Sequence, residues 1–325
     1  MHYLITGGAG FIGSHVADRL IARDDQITVL DNVSTGNLDN LRELDGRPGF
    51  TFAHGSVTDR LLVEELVEGA DVVIHLAAAV GVRLIIEHPL KSLITNIRGA
   101  ENVLDAAAKH GIKTLITSTS EIYGKNPEAP LSESSDRVLG PPSVARWAYS
   151  TSKAVDEILS VTYHREQGLP TVIVRLFNTV GPRQTGRYGM VLPRLVDQAI
   201  RGEQLTVYGD GNQTRCFCYI DDAVDALLGL LDDPRADGEI FNVGNPEEVS
   251  IKELAERVIE RSGSSSEITF VPYEEAYEEG FEDMIRRVPD ISKIGELLGW
   301  QPRRNLDEII DVMVDSRRAA AEIDG

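Results

Sequence analysis

The sequence predicts an α/β fold: a doubly wound parallel sheet followed by a smaller α+β region. Three observations carry this. Through about residue 176, short β-branched runs alternate with amphipathic stretches, the pattern of a parallel sheet covered by helices on both faces. A glycine-rich turn lies between the first run and the first helix, which makes the sheet Rossmann-type. Beyond residue 176 the elements shorten, and turn-rich stretches such as Gly181-Pro182-Arg183 and Gly209-Asp210-Gly211-Asn212 separate them.

The predicted strands cover residues 3–6, 27–31, 50–54, 71–75, 114–118 and 171–175. Between them, apolar residues at helical spacing predict helices over 11–23, 61–68, 90–110 and 149–167, with Gly111 and Gly168 as stops. Further helices are expected at 191–201, 221–231, 251–262 and 306–321, and residues 274–283 read as an acidic surface loop. The division is then residues 1–176 for a dinucleotide, with a return segment near 216–243, and 177–325 for the second ligand.

Composition excludes several classes. The 325 residues carry 52 acidic against 32 basic side chains, a formal charge of −20, which disfavours nucleic acid and anionic membranes as partners. A 42% hydrophobic content suffices for a real core. Cys216 and Cys218 are too few and too close for a disulfide framework. Their alternation puts both on one face of a strand, and no cluster completes a metal site. No apolar run approaches a membrane span, and no basic segment followed by an apolar one opens the chain. The expected location is the cytoplasm.

Gly7, Gly10 and Gly13 leave room for a pyrophosphate to approach the backbone, and the amides of Phe11, Ile12 and Gly13 open the helix toward that anion. Asp31 ends the second strand, 18 residues after Gly13, followed by Asn32. A carboxylate there accepts from a ribose diol and repels a 2′-phosphate, so NAD is expected over NADP. Ser56 and Val57 follow the third strand, where adenine would lie, and Leu76, Ala77 and Ala78 follow the fourth. Ligands of open α/β sheets bind at these strand ends.

Tyr149 and Lys153 stand at i and i+4, on one helix face. A free phenol, with its pKa of about 10, is a poor base at neutrality, and a neighbouring ammonium favours the phenolate. Thr119, just past the fifth strand, can share a proton with the same substrate oxygen.

With these motifs together, the sequence resembles the extended short-chain dehydrogenases/reductases that act on nucleotide sugars as epimerases, dehydratases and decarboxylases. The resemblance spans the whole chain. It rests on residues 6–13, Asp31-Asn32, residues 75–79, residues 118–124, Tyr149 with Lys153, residues 175–178 with Gly181-Pro182-Arg183, and Arg287-Val288-Pro289-Asp290. Ser56 departs from it, since the family often has Asp toward adenine there. The resemblance implies that Tyr149 deprotonates a sugar C4 hydroxyl while hydride passes to tightly held NAD, giving a transient 4-keto sugar. It also implies a homodimer formed through the helices at 90–110 and 149–167. Asn178, Arg215 and Arg287 are the expected diphosphate donors, with Arg83, Ser120 and Arg187 also toward the substrate and Tyr208 against the nucleoside.

A 4-keto sugar can be reduced on its other face, lose a C5 carboxylate as CO₂, or lose its C6 hydroxyl. Glu121, two residues past Thr119, is a carboxylate that simple epimerisation does not need. Thr119-Ser120-Glu121 resembles uronate decarboxylases and GDP-mannose-type dehydratases. Arg146-Trp147 resembles UDP-glucuronate decarboxylases, while Val80-Gly81-Val82-Arg83 resembles uronate 4-epimerases. The reading favours UDP-glucuronate decarboxylation to UDP-xylose. A 4-epimerase of UDP-glucuronate or UDP-glucose is the alternative, with a 4,6-dehydratase or a non-catalytic NAD-binding protein behind.

Overall fold

The computed structural model describes residues 1–81, 88–144, 146–186, 190–272, 284 and 286–324. The first part runs β1 (His2–Thr6), α1 (Phe11–Ile21), β2 (Gln26–Asp31), β3 (Phe50–His54), α2 (Arg60–Glu68), β4 (Val72–His75), α3 (Pro89–His110), β5 (Lys113–Thr119), α4 (Arg146–Gln167) and β6 (Thr171–Leu176). There follow β7 (Thr179–Val180), α5 (Val191–Ile200), β8 (Leu205–Tyr208), β9 (Thr214–Cys216), β10 (Cys218–Tyr219), α6 (Ile220–Asp232) and β11 (Glu239–Val243). The chain ends with β12 (Glu248–Ser250), α7 (Ile251–Ser262), β13 (Ile268–Val271), α8 (Ser292–Leu298) and α9 (Leu306–Asp324).

One face of each central strand meets one core and the other face a second core. In β1, Tyr3 and Ile5 join the larger core while Leu4 joins the smaller; in β4, Val72 and Ile74 divide from Val73 in the same way. Burial on both faces explains why these strands read as continuous apolar runs. The result is a seven-stranded sheet in the order β11-β6-β5-β4-β1-β2-β3, with every pairing parallel. The order reverses between β1 and β4. The connections that follow these two strands leave to opposite sides of the sheet, which opens a crevice at their carboxyl ends.

Three helix ends are closed by residues the sequence supplies for it. Asp59 accepts from Leu62 N at the start of α2 (3.3 Å), Ser250 accepts from Glu253 N at the start of α7 (3.1 Å), and Gly111 ends α3 at φ 68°. α3 and α4 lie against each other. β11 brings the late chain back into the main sheet, Phe241 opposite Val174.

The cysteine pair differs from expectation. Cys216 ends β9 and Cys218 begins β10, and these strands pair with different partners, β12 and β7. The break comes from Asn178, at φ 32°, which donates from Nδ2 to Cys216 O (2.8 Å) and accepts from Cys218 N (3.2 Å). Both thiols are buried, and burial pushes Cys216 up to about 12. The acidic stretch 274–283 lies outside the described residues.

Candidate active site

At the β1–α1 turn, Gly7 sits at φ 75°, and a Cβ there would lie 2.7 Å from Ala77 N. A Cβ on Gly13 would overlap the Gly7 carbonyl. The turn therefore requires glycine at both places, and it brings the ends of β1 and β4 together. Gly10 is the N-cap of α1 and supplies no side-chain cap, so the first-turn N–H groups face the crevice without one. Asp31 is buried at the end of β2, where one carboxylate oxygen accepts from Ala9 N (3.0 Å) and the other from Val33 N (2.8 Å). Val33 holds φ 56°, a rare conformation for a β-branched residue, in making that bond. The arrangement fits a dinucleotide: glycines clear the backbone, helix amides meet a pyrophosphate, and a fixed carboxylate can still accept from a ribose.

Around this turn, Asn32 accepts from Ser34 N (3.0 Å) and Ser56 bonds Thr58 Oγ1 (2.8 Å). Val57 is buried, and Leu76 N donates to Thr6 O (3.0 Å).

At the end of β5 a short turn, Ser120–Tyr123, carries Glu121 beside its N-cap Thr119. Thr119 Oγ1 accepts from Glu121 N (3.2 Å) and is hydrogen-bonded to Tyr149. Burial pushes the Tyr149 phenol well above the usual range, and the negative charges of Glu121 and Asp156 add to this, while the Thr119 bond opposes it. Lys153, itself buried, donates to Asp156 Oδ2 (2.6 Å).

On the opposite wall, the buried Arg287 donates from Nη1 to Ser120 Oγ (3.2 Å) and from Nη2 to Asn178 Oδ1 (3.5 Å), and lies 3.8 Å from Glu121 Oε1. Thr119, Ser120, Glu121, Tyr149, Asn178 and Arg287 thus form one cluster. Arg215 donates to the Thr214 and Met284 carbonyls (2.7 and 2.8 Å). The Tyr208 ring lies under the Arg194 guanidinium at 4.4 Å. Arg183 pairs with Asp18 (2.7 Å). Arg83 and Arg187 lie outside the described residues.

Two supports were missed in the sequence. Asn96 of α3 accepts from Ala79 N (2.7 Å) and donates to Ser152 Oγ (3.1 Å), tying the β4 loop to α4. Arg175 of β6 pairs with both Glu157 oxygens (2.9 and 2.8 Å) and donates to the Tyr123 hydroxyl (2.9 Å), which donates to Asn242 Oδ1 (2.7 Å). Asn242 in turn donates to Leu131 O and Asp290 O (2.9 and 3.2 Å), so the β5 turn and the Arg287 segment share one anchor. The signal for Asn96 was a polar residue inside a helix; Arg175 belonged to the 175–178 motif, but its partners were not written there.

Among the described residues no helix is long and apolar enough to cross a membrane, and no group of side chains could hold a metal ion.

Known proteins of the same architecture handle nucleotide sugars. UDP-N-acetyl-alpha-D-glucosaminuronate decarboxylase of Bacillus cytotoxicus is 43% identical over 300 residues, 92% of each chain. UDP-glucuronic acid decarboxylase 5 of Arabidopsis thaliana is 40% identical over 319 residues, 98% of this chain and 89% of its own. The solved UDP-glucuronic acid 4-epimerase of Bacillus cereus, in complex with UDP-glucuronic acid and NAD, aligns with TM-score 0.88 and 29% identity over 98% of this chain and 100% of its own. A family model for GDP-mannose 4,6 dehydratase matches residues 4–313. The chain belongs to that family, within the extended short-chain dehydrogenases/reductases.

Proposed function

We propose that this chain is an NAD-dependent UDP-uronate decarboxylase that converts UDP-glucuronate to UDP-xylose through a C4 ketone. The observation that carries the reading is the Glu121 carboxylate, which acts on Tyr149 and faces Arg287 within the Thr119–Tyr149–Lys153 cluster. The relatives named as decarboxylases support it. Residues 1–176, with the return segment through β11, hold the dinucleotide at Gly7, Gly13 and Asp31. Residues 177–325 hold the nucleotide sugar, with Arg287 and Arg215 toward the diphosphate and Tyr208 toward the base.

Tyr149 takes the C4 hydroxyl proton while Thr119 holds that oxygen. The glycine turn and Asp31 would hold NAD, which would supply the hydride acceptor for C4 and the donor for its return. The C4 ketone is β to the C6 carboxylate, so the C5–C6 bond breaks, its electron pair moves to the C4 oxygen and CO₂ leaves. Tyr149 then donates its proton to that oxygen, and Glu121 serves the protonation of C5. Asn178 acts by orientation: its Nδ2 is engaged by Cys216 O and its Oδ1 steadies Arg287.

A 4-epimerase remains the second reading, favoured by the likeness to the UDP-glucuronic acid 4-epimerase. Incubation with UDP-glucuronate, UDP-N-acetylglucosaminuronate, UDP-glucose and UDP-N-acetylglucosamine, read by NMR, separates the two. A pentose product with CO₂ is expected from UDP-glucuronate; a galacto-configured product without CO₂ overturns the decarboxylase.

The protein acts as a cytoplasmic homodimer in this reading. Leu90 and Ile94 on α3 and Ile158 on α4 are exposed apolar residues on the two helices expected to pair, which supports it.

A further inference from the structure

Lys153 does not stand alone in the site. One turn further along α4, the side chain of Asp156 is wholly buried, with Oδ2 2.6 Å from Lys153 Nζ. Its other oxygen, Oδ1, is buried without a hydrogen-bond partner. The neighbouring Glu157 does not share the ammonium, because Arg175 of β6 takes both its oxygens. From β4, His75 faces Lys153 as a neutral ring, pushed down to about 3 by burial and by the Lys153 charge. From α3, the uncharged Asn96 reaches this helix through Ser152. From the β5 turn, Glu121 faces Tyr149 with Arg287 behind it. A buried carboxylate is costly unless paired, so one placed here with half of its acceptors unused needs a reason.

We propose that Asp156 is a positioning residue of the reaction: it fixes the Lys153 ammonium and offsets its charge, and so sets the pH at which Tyr149 becomes a base. The inference rests on the reading of Tyr149 as that base. The charges acting on the phenol are the carboxylates Glu121 and Asp156, and each has a cation beside it, Arg287 for Glu121 and Lys153 for Asp156. Removing Asp156 leaves an excess positive charge, which favours the phenolate. The direction agrees with the upward push that Asp156 exerts on Tyr149.

The test is Asp156→Asn, which keeps the shape and removes the charge. In the holoenzyme with UDP-glucuronate, the acid limb of the kcat/KM profile is expected to move down by about one pH unit, roughly tenfold more activity on that limb. The substrate-independent readout is the ζ-¹³C resonance of labelled tyrosine with NAD present, Tyr149 being identified by its loss in Tyr149→Phe; its titration should move the same way. Should Asp156→Asn not fold, Asp156→Ser carries the same expectation. A limb and a resonance that coincide with wild type, with only thermal stability lowered, overturn the proposal and leave Asp156 structural. Turnover surviving Tyr149→Phe is a different failure, that of the base assignment.

Discussion

The two walls of the crevice, one proposed for the dinucleotide and one for the sugar, are built by different means. On the dinucleotide wall, the shape comes from absent atoms: Gly7 and Gly13 leave space that a Cβ would fill, and Gly10 leaves the first turn of α1 without a side-chain cap. On the sugar wall, the groups come from separate segments and hold one another: Arg287 with Ser120 and Glu121, Asn178 with Cys216 O, Lys153 with Asp156. A steric cradle is local and tolerates no addition. An electrostatic wall is assembled from distant parts of the chain, and each charge depends on its partner. Binding of the dinucleotide and chemistry on the sugar should therefore fail separately.

The largest effect tests that separation. Tyr149→Phe should lower kcat by about 10⁴-fold, the upper range for loss of a positioned base, while NAD binding, followed by nicotinamide fluorescence after reduction, stays at the wild-type level. Gly7→Val should do the reverse and abolish NAD retention, since its Cβ would enter the Ala77 backbone. A Gly7→Val protein that keeps NAD would break the comparison.

The next effect concerns the anchor behind the sugar wall. Arg175 and Glu157 are both buried and make a two-bond pair. Arg175→Ala leaves a buried carboxylate unpaired and should cost about 3–5 kcal/mol in urea unfolding. An Arg175→Met, Glu157→Leu double variant should recover most of this stability. A loss that the double variant does not recover would place the cost in the Tyr123 and Glu133 bonds of Arg175 instead.

These contrasts also explain what the sequence could reveal. The six strands of the first part and the β1–α1 turn were legible because burial on both faces and glycine spacing are written in consecutive residues. Thr119, Tyr149 and Glu121 were legible as short motifs at strand and helix ends, and the structure brings them together. The partners were not legible. Nothing in the local sequence says that Asp156 takes Lys153, or that Arg175 takes the adjacent Glu157, since both carboxylates sit side by side on α4 and only packing divides them. Nor does the local sequence say that Asn178, expected toward a diphosphate, also donates to Cys216 O, a bond that uses one of its two Nδ2 hydrogens.

A smaller effect is expected at Glu121. Glu121→Gln keeps the shape, removes the charge beside Arg287 and should lower CO₂ release by about 10²-fold. C4 oxidation, seen as transient NADH absorbance, should persist. An unchanged rate of CO₂ release would remove Glu121 from the decarboxylation step.

The smallest effect sharpens the comparison from the dinucleotide wall, where an uncharged interior should show itself as acid sensitivity. His75 lies at the end of β4, its Nδ1 2.8 Å from Thr6 Oγ1 and its Nε2 buried without a partner. Burial, assisted by Lys153, pushes the imidazole down to about 3. In the unfolded chain it titrates near 6.5. Below that pH the unfolded state takes up a proton that the folded state refuses, so stability is lost as pH falls from about 6.5 toward 3. By about pH 5 the loss reaches roughly 2 kcal/mol, at about 1.4 kcal/mol per unit. His75→Gln keeps a polar contact for Thr6 and cannot titrate, so its urea midpoint should fall less between about pH 7 and pH 5 than that of the wild type, by an amount matching this linkage. Equal falls in the two proteins would mean that the acid sensitivity resides in the paired carboxylates of the sugar wall, and that the dinucleotide wall contributes none of it.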